Sequence, residues 1–445
     1  MIDACHPCNA VIASCEKLKL SLSVFLSANG APEEIVSNAV ASIRCILHRI
    51  FKSLRDSDSD GFSELFIDCG ASGETTISFN GVDTHWYEDK DFINTGKNFI
   101  LTPTEVVNPM NSLRFFPSDN KSCYKLPLQP FNGKFLFRAG FFYGNYDGLS
   151  RPSSFKLEID GNLWANVTTS MIQDQPVYHE LIYRTASEKT TVCLVRTTDN
   201  GVAFISSLQA TYMPGDMYTL MQNKTALYLQ SRINFGANKT VENEEFGPAE
   251  ECCNRIWKPQ EMPEYLNISG DPMLDGYSSL ENSPPFPVLL TAIQAKSVSD
   301  SIYLPVNFSS QTEVVAYFVI YFMDPIIRFE IGEVEIYIDG QKFNARDVDV
   351  PNWATFGTEN NVVSLYPVRV SGSANVTISP ANGSTLPPLV NAMEVFQVLD
   401  VVDDASNGGH LLGFSLPMFV FATSFHLLRV FFFPLFEILS RVTFN

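Results

Sequence analysis

Histidine is scarce in this chain, and the sequence patterns of several common enzyme classes are missing from it. Six histidines occur among 445 residues, and only His85 and His179 lie in the long central segment, residues 62–404, called the body below. The sequence contains no His-Glu-x-x-His, no Gly-x-Ser-x-Gly and no glycine-rich phosphate loop. These absences argue against zinc proteases, nucleophile-elbow hydrolases and phosphate-loop enzymes. We therefore expect a protein that is not an enzyme and that holds no cofactor and no metal.

Basic residues are also few. The chain has 30 Lys and Arg against 49 Asp and Glu, and the body alone holds 22 basic and 41 acidic residues. A net charge of −19 repels polyanions, which argues against nucleic acid and anionic membrane surfaces as partners. It is compatible with neutral glycans or with basic peptides.

Two short patterns look like parts of metal sites but are incomplete. Asp56-Ser-Asp-Ser-Asp-Gly61 begins like a calcium loop, yet Ile67 stands at the twelfth position, where such a loop needs a bidentate glutamate. Cys5-His-Pro-Cys8 and Cys45-Ile-Leu-His48 have the pairwise spacing of zinc ligands, but they are too far apart for a typical finger. An acidic linker and buried thiols are the favoured interpretations.

The body carries many acceptor sites for N-glycosylation. Each consists of an asparagine followed two residues later by Ser or Thr, and all of them fall within the body. They are Asn120, Asn166, Asn223, Asn238, Asn267, Asn307, Asn375 and Asn382. This confinement favours a secreted protein or an ectodomain, so we expect these eight residues to be glycosylated.

The body has the alternating pattern of β-strands, and the pattern repeats. In Ser154–Gly161 every second residue is apolar, and Asp160-Gly161 then supplies a turn. Glu333–Gly340 has the same design, with its last glycine 179 residues further on. Leu208 and Met393, in a second pair of similar segments, are 185 residues apart. Two similar offsets in the same order predict two homologous β-sandwiches.

Six short motifs between Phe66 and Trp164 occur in a fixed order. They are Phe66-Ile-Asp-Cys-Gly70, Asp91-Phe-Ile-Asn-Thr-Gly96, Leu113-Arg-Phe-Phe-Pro117, Cys123-Tyr-Lys-Leu-Pro127, Phe142-Tyr-Gly-Asn-Tyr-Asp-Gly148 and Asn162-Leu-Trp164. Together they resemble the malectin-like extracellular region of plant receptor-like kinases. That family places two malectin-like β-sandwiches ahead of leucine-rich repeats, a membrane span and a kinase. This chain contains neither the repeats nor the kinase.

The resemblance implies a mainly β fold with two tandem malectin-like, jelly-roll-like sandwiches. Arg255-Ile-Trp257 is similar to the family's inter-domain signature, although the residues just before it differ from the family pattern. A helical N-terminal extension with an amphipathic helix at about 33–55 and an apolar C-terminal tail flank the sandwiches. Residues 411–428 in that tail are a possible membrane anchor, and the alternative is that the tail is read-through of noncoding sequence. The expected divisions are 1–61 for the extension, 62–242 and 288–404 for the domains, 243–287 for the linker and 405–445 for the tail.

The resemblance also suggests a disulfide. Cys69 and Cys123 both belong to the recognised motifs, so Cys69–Cys123 is the preferred pair. One of the adjacent cysteines Cys252 and Cys253 is then available to reach Cys193. The body holds five cysteines, and the sequence leaves their connectivity open.

The motif around Tyr146 is the candidate binding site. Tyr143 and Tyr146 offer aromatic faces for a sugar ring, and Asn145 and Asp147 offer hydrogen bonds to its hydroxyls. Malectin itself recognises a glucose disaccharide through aromatic and acidic loop residues. The alternative is that these residues only shape a turn and pack the sandwich. Trp164 is expected in the core.

The leading hypothesis is a non-catalytic recognition module at the extracellular face of the plasma membrane, or secreted. Its partner would be a cell-wall oligosaccharide, a peptide or a co-receptor ectodomain. One alternative is a glycan-active hydrolase on a β-sandwich, which would need two carboxylates held across a cleft. Another is a purely structural or co-receptor scaffold.

Overall fold

The structure, a computed structural model, describes most of the body. It covers residues 61–402 except for 80–81, 102–108, 170–175, 198–200, 242–252, 271–280, 309, 327–329, 331, 343–352 and 357–360. The helix expected at about 33–55, the candidate calcium and zinc ligands and the apolar tail lie outside the described residues.

The described residues are mainly β, which confirms the predicted fold class. Strands are numbered in chain order. The first half contributes β1 (Glu64–Asp68), β2 (Thr75–Phe79), β3 (Val82–Glu88), β4 (Lys97–Ile100), β5 (Ser112–Phe116), β6 (Lys121–Leu126), β7 (Lys134–Phe141), β8 (Ser154–Ile159), β9 (Asn162–Thr168), β10 (Val177–Arg184), β11 (Thr190–Arg196), β12 (Ala203–Ile205), β13 (Ser207–Met213) and β14 (Thr225–Phe235). A 3₁₀ turn, Asp89–Asp91, separates β3 from β4.

The second half adds further strands and one short helix. They are β15 (Lys258–Gln260), β16 (Leu266–Ser269), the helix α1 (Phe286–Leu289), β17 (Thr291–Gln294), β18 (Ile302–Asn307), β19 (Glu313–Phe322), β20 (Gly332–Ile338), β21 (Gln341–Lys342), β22 (Trp353–Phe356), β23 (Asn361–Ser371), β24 (Ser373–Pro380), β25 (Leu389–Val390) and β26 (Ala392–Asp400).

The two repeated segments are equivalent in the structure. β8 and β20 both end in an Asp-Gly turn, and Asp160 and Asp339 both have positive φ, 44° and 51°. In each turn the aspartate accepts a backbone N–H bond from a neighbouring strand: from Thr191 at 2.7 Å and from Asn375 at 2.8 Å. The backbone N–H of Asp160 donates to the carbonyl of Thr191, and that of Asp339 donates to the carbonyl of Asn375, each at 2.9 Å. The predicted alternation and turns are confirmed at both places.

Each half of the described chain has its own hydrophobic core. The apolar residues of β8 lie in the first core, beside Trp164, which is 2 % exposed, as predicted. The apolar residues of β20 lie in the second core. Because alternate side chains of a strand point to opposite faces, each sheet can cover a core with one face and meet water with the other. The domain boundaries themselves stay a prediction.

A continuous sheet joins the two halves. Its main path runs β2-β3-β1-β13-β7-β10-β14-β26-β19-β23-β24-β20-β21. Smaller sheets, β6-β11-β8-β9, β12-β5-β4 and β16-β17-β25, complete the layers. The junction is the antiparallel pair of β14 and β26, with Thr225 opposite Asp400 and Asn234 opposite Ala392. A third apolar cluster, drawn from both halves and including Trp257, packs beside this junction.

The preferred disulfide is wrong. Cys123 is bonded to Cys193, and Cys69 is a free, buried thiol. Cys253 is also buried. The reason is strand pairing: Cys123 on β6 and Cys193 on β11 are register partners in adjacent antiparallel strands. Cys69 follows β1, which belongs to a different sheet. Cys252 lies outside the described residues.

Candidate recognition surface

The motif loop, residues 142–150, follows the central strand β7 and makes a tight turn. Gly144, Asn145, Gly148 and Ser150 all have positive φ. Glycine adopts this conformation without strain, and asparagine tolerates it better than most residues. A Cβ on Gly144 would also lie within 2.9 Å of the Leu101 side chain. The turn is therefore built into this stretch of sequence.

Both tyrosines of the motif loop belong to the first core. Tyr143 is 2 % and Tyr146 is 7 % exposed. Their rings meet edge to face, with centroids 5.6 Å apart, and both pack against Phe204. Tyr146 also contacts Phe115 and Phe99. The two aromatic faces are covered by protein, which favours the packing role.

The polar groups of the loop bond to one another. The Tyr143 hydroxyl donates to the Asp147 carboxylate and accepts the backbone N–H of Arg151 at 3.2 Å. Asp147 also accepts the N–H of Leu149 at 3.0 Å, and the Asn145 side-chain oxygen accepts the N–H of Ser150 at 2.9 Å. Burial, followed by the bond to Asp147, raises the pKa of Tyr143 to about 12, so its hydroxyl keeps its proton. A ligand role for these four residues stays a prediction.

Exposed apolar side chains lie next to the motif loop. Phe99 and Ile100, on β4, are 38 % and 54 % exposed, and Leu149 in the loop is 70 % exposed. Phe99 contacts the ring of Tyr146, which connects the strand to the loop. Within the described residues, β4 pairs with β5 on one side only. We call Phe99, Ile100 and Leu149 together with the β4 edge the β4 surface, and the sequence gives no signal for it beyond two adjacent apolar residues.

A buried ion pair fixes the start of β4. Asp89 is 1 % exposed and accepts two bonds from Arg114, each 2.6 Å, and one from the Tyr124 hydroxyl at 3.0 Å. The backbone N–H of Gly70 adds a fourth at 2.9 Å. Arg114 also donates to the carbonyl of Thr95, two residues before β4. The first, third and fourth motifs thus converge on one carboxylate.

A second buried network lies across the junction of the two halves. Arg232 on β14 donates to Glu180 on β10 and to Glu394 on β26, each at 2.6 Å. Glu180 also accepts from Arg138 on β7 at 2.8 Å. Burial raises the pKa of Glu180, but the charges of Arg138 and Arg232 outweigh it and lower the pKa overall.

The linker signature completes that network. Arg255 is buried, donates to the Tyr218 hydroxyl at 3.0 Å and lies over the ring of Trp257. Tyr218 and Tyr321 in turn donate to Glu394. Their pKa values are raised well above the ordinary range, mainly by burial. The resemblance pointed to Arg255-Ile-Trp257. The other residues of the buried network appear in the sequence only as charged residues inside apolar strands. That pattern could have identified Arg138 and Glu394 as buried charges.

All eight predicted glycosylation residues are exposed. Other asparagines of the body, such as Asn234 and Asn391, are buried and hydrogen-bonded. The eight side chains are therefore placed where a glycan can be carried, and glycosylation stays a prediction.

Within residues 61–402, apart from the gaps stated above, no helix is long and apolar enough to cross a membrane. The candidate anchor at 411–428 is not among the described residues.

Known proteins share this sequence pattern. The family model described as the malectin-like domain matches residues 67–398. A leucine-rich repeat receptor-like serine/threonine-protein kinase of Arabidopsis thaliana is 28 % identical over 385 residues, covering 83 % of this chain and 42 % of the kinase. An uncharacterized protein of the same plant is 29 % identical over 367 residues, covering 81 % of this chain and 69 % of that protein. The chain spans about two fifths of the length of most of the curated relatives it matches.

Solved structures share the fold. The crystal structure of the ANX2 ectodomain from Arabidopsis thaliana has a TM-score of 0.60 at 14 % identity, covering 75 % of this chain and 96 % of that one. The crystal structure of the plant peptide RALF23 in complex with FER and LLG2 contains a chain with a TM-score of 0.54 at 15 % identity, covering 77 % and 96 %. At such identities the likeness concerns the fold alone.

Proposed function

This chain belongs to the malectin-like family, and from that premise we propose that it is a non-catalytic extracellular recognition module whose ligand is a peptide or a segment of a partner ectodomain. The β4 surface is its proposed binding site. The observation that carries this proposal is the contrast between the motif loop and its surroundings: Tyr143 and Tyr146 are buried, while Phe99, Ile100 and Leu149 are exposed.

The chemistry of the β4 surface suits a peptide better than a sugar. The β4 edge that pairs with no strand of the described residues offers backbone N–H and C=O groups to an added strand, and flanking side chains then supply specificity. Phe99 and Ile100 are consecutive, so they project to opposite faces of β4 and would contact both sides of an added strand. A sugar needs several convergent polar groups, and those of the motif loop are engaged with one another.

Two further observations support the proposal. The net charge of −19 favours a neutral or basic ligand over an anionic one. The FER chain, which shares this fold, is described as part of a complex with the peptide RALF23 and with LLG2. That complex supports a peptide ligand and a co-receptor as the partners proposed for this chain.

The test is a binding screen of the full chain, secreted behind a heterologous signal peptide and checked for folding by circular dichroism. The screen includes extracellular peptides and plant wall oligosaccharides. We expect saturable binding to a peptide that weakens at least tenfold in Ile100→Asp. Leu163→Asp, at a residue of β9 that is 50 % exposed, is the matched control and should bind like the wild type.

Other results would overturn the proposal. Binding confined to one oligosaccharide class and unaffected by Ile100→Asp would make the protein a lectin with its site elsewhere. Turnover of a wall polysaccharide by the folded chain would make it a hydrolase.

A further inference from the structure

The outer face of the second core carries two tyrosines beside a glycosylation sequon. β24 lies between β18 and β20, and Thr377 is the register partner of both Tyr303 and Tyr337. Register partners project from the same face of a sheet, as do residues two apart along one strand. Asn375, two residues before Thr377, therefore lies on the face that carries both tyrosines.

Within the described part of the chain, the side chains of this face are exposed or half-buried. Tyr303 is 52 % exposed, and Tyr337 is half-buried. The opposite faces of the same strands supply Leu304, Val376 and Ile336 to the second core, so the outer face has no core of its own to cover. The tyrosines are two strand spacings apart, about 9.5 Å.

The backbone holds Asn375 in place while its side chain stays exposed. Its N–H donates to the Asp339 carboxylate at 2.8 Å, and its carbonyl accepts the Asp339 N–H at 2.9 Å. A sugar attached to this side chain would start about 6.7 Å along the strand from the line that joins the two tyrosines.

We propose that an N-linked glycan on Asn375 packs against Tyr303 and Tyr337 and covers this face of the second domain. The inference rests on the proposed extracellular function, because only a chain that enters the secretory pathway receives the glycan. A tyrosine ring presents an apolar face to the C–H groups of a pyranose. The Tyr303 hydroxyl can bond to the sugar's polar groups, whereas the Tyr337 hydroxyl donates to Glu335 at 2.6 Å and can only accept from the sugar.

The attached glycan is the occupant that the geometry favours. Its point of attachment lies within the face, and a tethered group has a high effective concentration over nearby surface. Asn307, opposite Ser373, is a second sequon on the same face and would add to the cover. A free polysaccharide would have to displace sugars already held there. The covered face is then unavailable to ligands.

The test compares two sequons of the same domain in the secreted full chain. Mass spectrometry of glycopeptides measures occupancy at each asparagine. The native protein is then treated with an N-glycosidase, and we expect release from Asn375 to be at least tenfold slower than from Asn382, which lies in the turn after β24. Tyr303→Ala should raise the rate of glycan release from Asn375 to the rate measured for Asn382.

A thermal measurement checks the same contact. Thr377→Val removes the Asn375 sequon while keeping a β-branched side chain, and Asn382→Gln is its control. Tyr303→Ala should lower Tm by about 2 °C or more in the wild-type and Asn382→Gln backgrounds and leave it unchanged in Thr377→Val.

The outcomes separate this inference from the function it rests on. Occupied sequons elsewhere with Asn375 empty, or an Asn375 glycan released as fast as that of Asn382, would overturn the inference and leave the recognition role intact. Wild-type binding of a wall polysaccharide that Tyr303→Ala abolishes would also overturn it. A secreted, folded chain with no glycan on any of the eight sequons would count against both.

Discussion

Glu394, on the last described strand of the second half, accepts a 2.6 Å hydrogen bond from Arg232 on the last strand of the first half, and both side chains are fully buried. The two strands are adjacent, so this ion pair spans the junction between the cores. Removing the second half would take one of its two carboxylate partners from Arg232, and removing the first half would take that arginine from Glu394. The described part of the chain should therefore unfold as one cooperative unit.

Removing the Glu394 charge tests this coupling. Glu394→Gln keeps the shape but leaves Arg232, Tyr218 and Tyr321 without their shared carboxylate. We expect the free energy of unfolding in urea to fall by about 3 kcal/mol, because the buried Arg232 and Arg255 both lose the Glu394 carboxylate, although Arg232 keeps a second one, Glu180. Glu313→Gln breaks the exposed pair with Arg369 and should cost less than about 1 kcal/mol. Equal effects for the two variants would contradict a structural role for the buried network.

The two motif tyrosines should respond differently to loss of the hydroxyl. Tyr146 has no hydrogen-bond partner for its hydroxyl among the described residues, so Tyr146→Phe should be nearly neutral, within about 1 kcal/mol. Tyr143→Phe removes the bonds to Asp147 and Arg151 and should destabilise by about 1–2 kcal/mol.

Truncating Tyr146 separates packing from ligand contact. Tyr146→Ala leaves a cavity in the first core and should destabilise by about 3 kcal/mol in the absence of any ligand. Leu149→Ala, at a 70 % exposed neighbour, is the control and should leave the unfolding curve in place. An unchanged stability in Tyr146→Ala, together with lost binding, would restore the ligand role.

The disulfide can be mapped directly. Digestion of the oxidised chain under non-reducing conditions should yield a peptide linked through Cys123 and Cys193, and Cys69 should react with a thiol reagent only after unfolding. Replacing both bonded cysteines by serine should lower the free energy of unfolding by about 2–4 kcal/mol, because the bridge spans a sequence separation of 70 residues. The double replacement of Cys69 and Cys253 by alanine is the control that leaves the bridge intact.

His179 should make stability depend on pH. Burial lowers the pKa of His179 from its ordinary 6.5 to about 4. Between these values the unfolded chain binds a proton that the folded chain does not, so this contribution is complete above pH 6.5 and is lost as the pH falls towards 4. We expect the free energy of unfolding to fall by about 2 kcal/mol over this pH range. This is less than the full pKa shift would give, since the ring is partly exposed.

The measurement is the difference in unfolding free energy between wild type and His179→Gln at pH 7 and pH 4.5. Taking this difference cancels the pH dependence that other groups contribute to both proteins. Asp68 is one such group: burial raises its pKa to about 6, so its contribution to stability has the opposite sign. His85→Gln, at an exposed histidine, controls for the substitution itself. A pH-independent difference for His179→Gln would show that the ring titrates normally in the folded chain.

Much of the local structure could be predicted from the sequence. Alternation of apolar and polar residues marked β8 and β20, and the Asp-Gly pairs marked their turns, because a strand's faces and a turn's φ angles depend on residues that are neighbours in sequence. The burial of Trp164 could be predicted because large aromatic side chains of a β-sandwich pack in its core. The ordered motifs indicated the family and its mainly β fold.

The disulfide, the candidate site and the buried charges depended on which strands lie side by side. Cys123 faces Cys193 and not Cys69 because β6 pairs with β11, at a sequence distance that no local pattern encodes. From the sequence alone, Tyr146 is expected to be an exposed aromatic residue in a loop. In the structure it is buried because Phe99, Phe115 and Phe204, from three separate segments, pack against its ring. Glu394 and Arg232, 162 residues apart, meet only because β26 pairs with β14. The alternation of apolar and polar residues is a property of a single strand. Which strands pair with each other depends on the whole sheet, and only the tertiary structure decides that pairing.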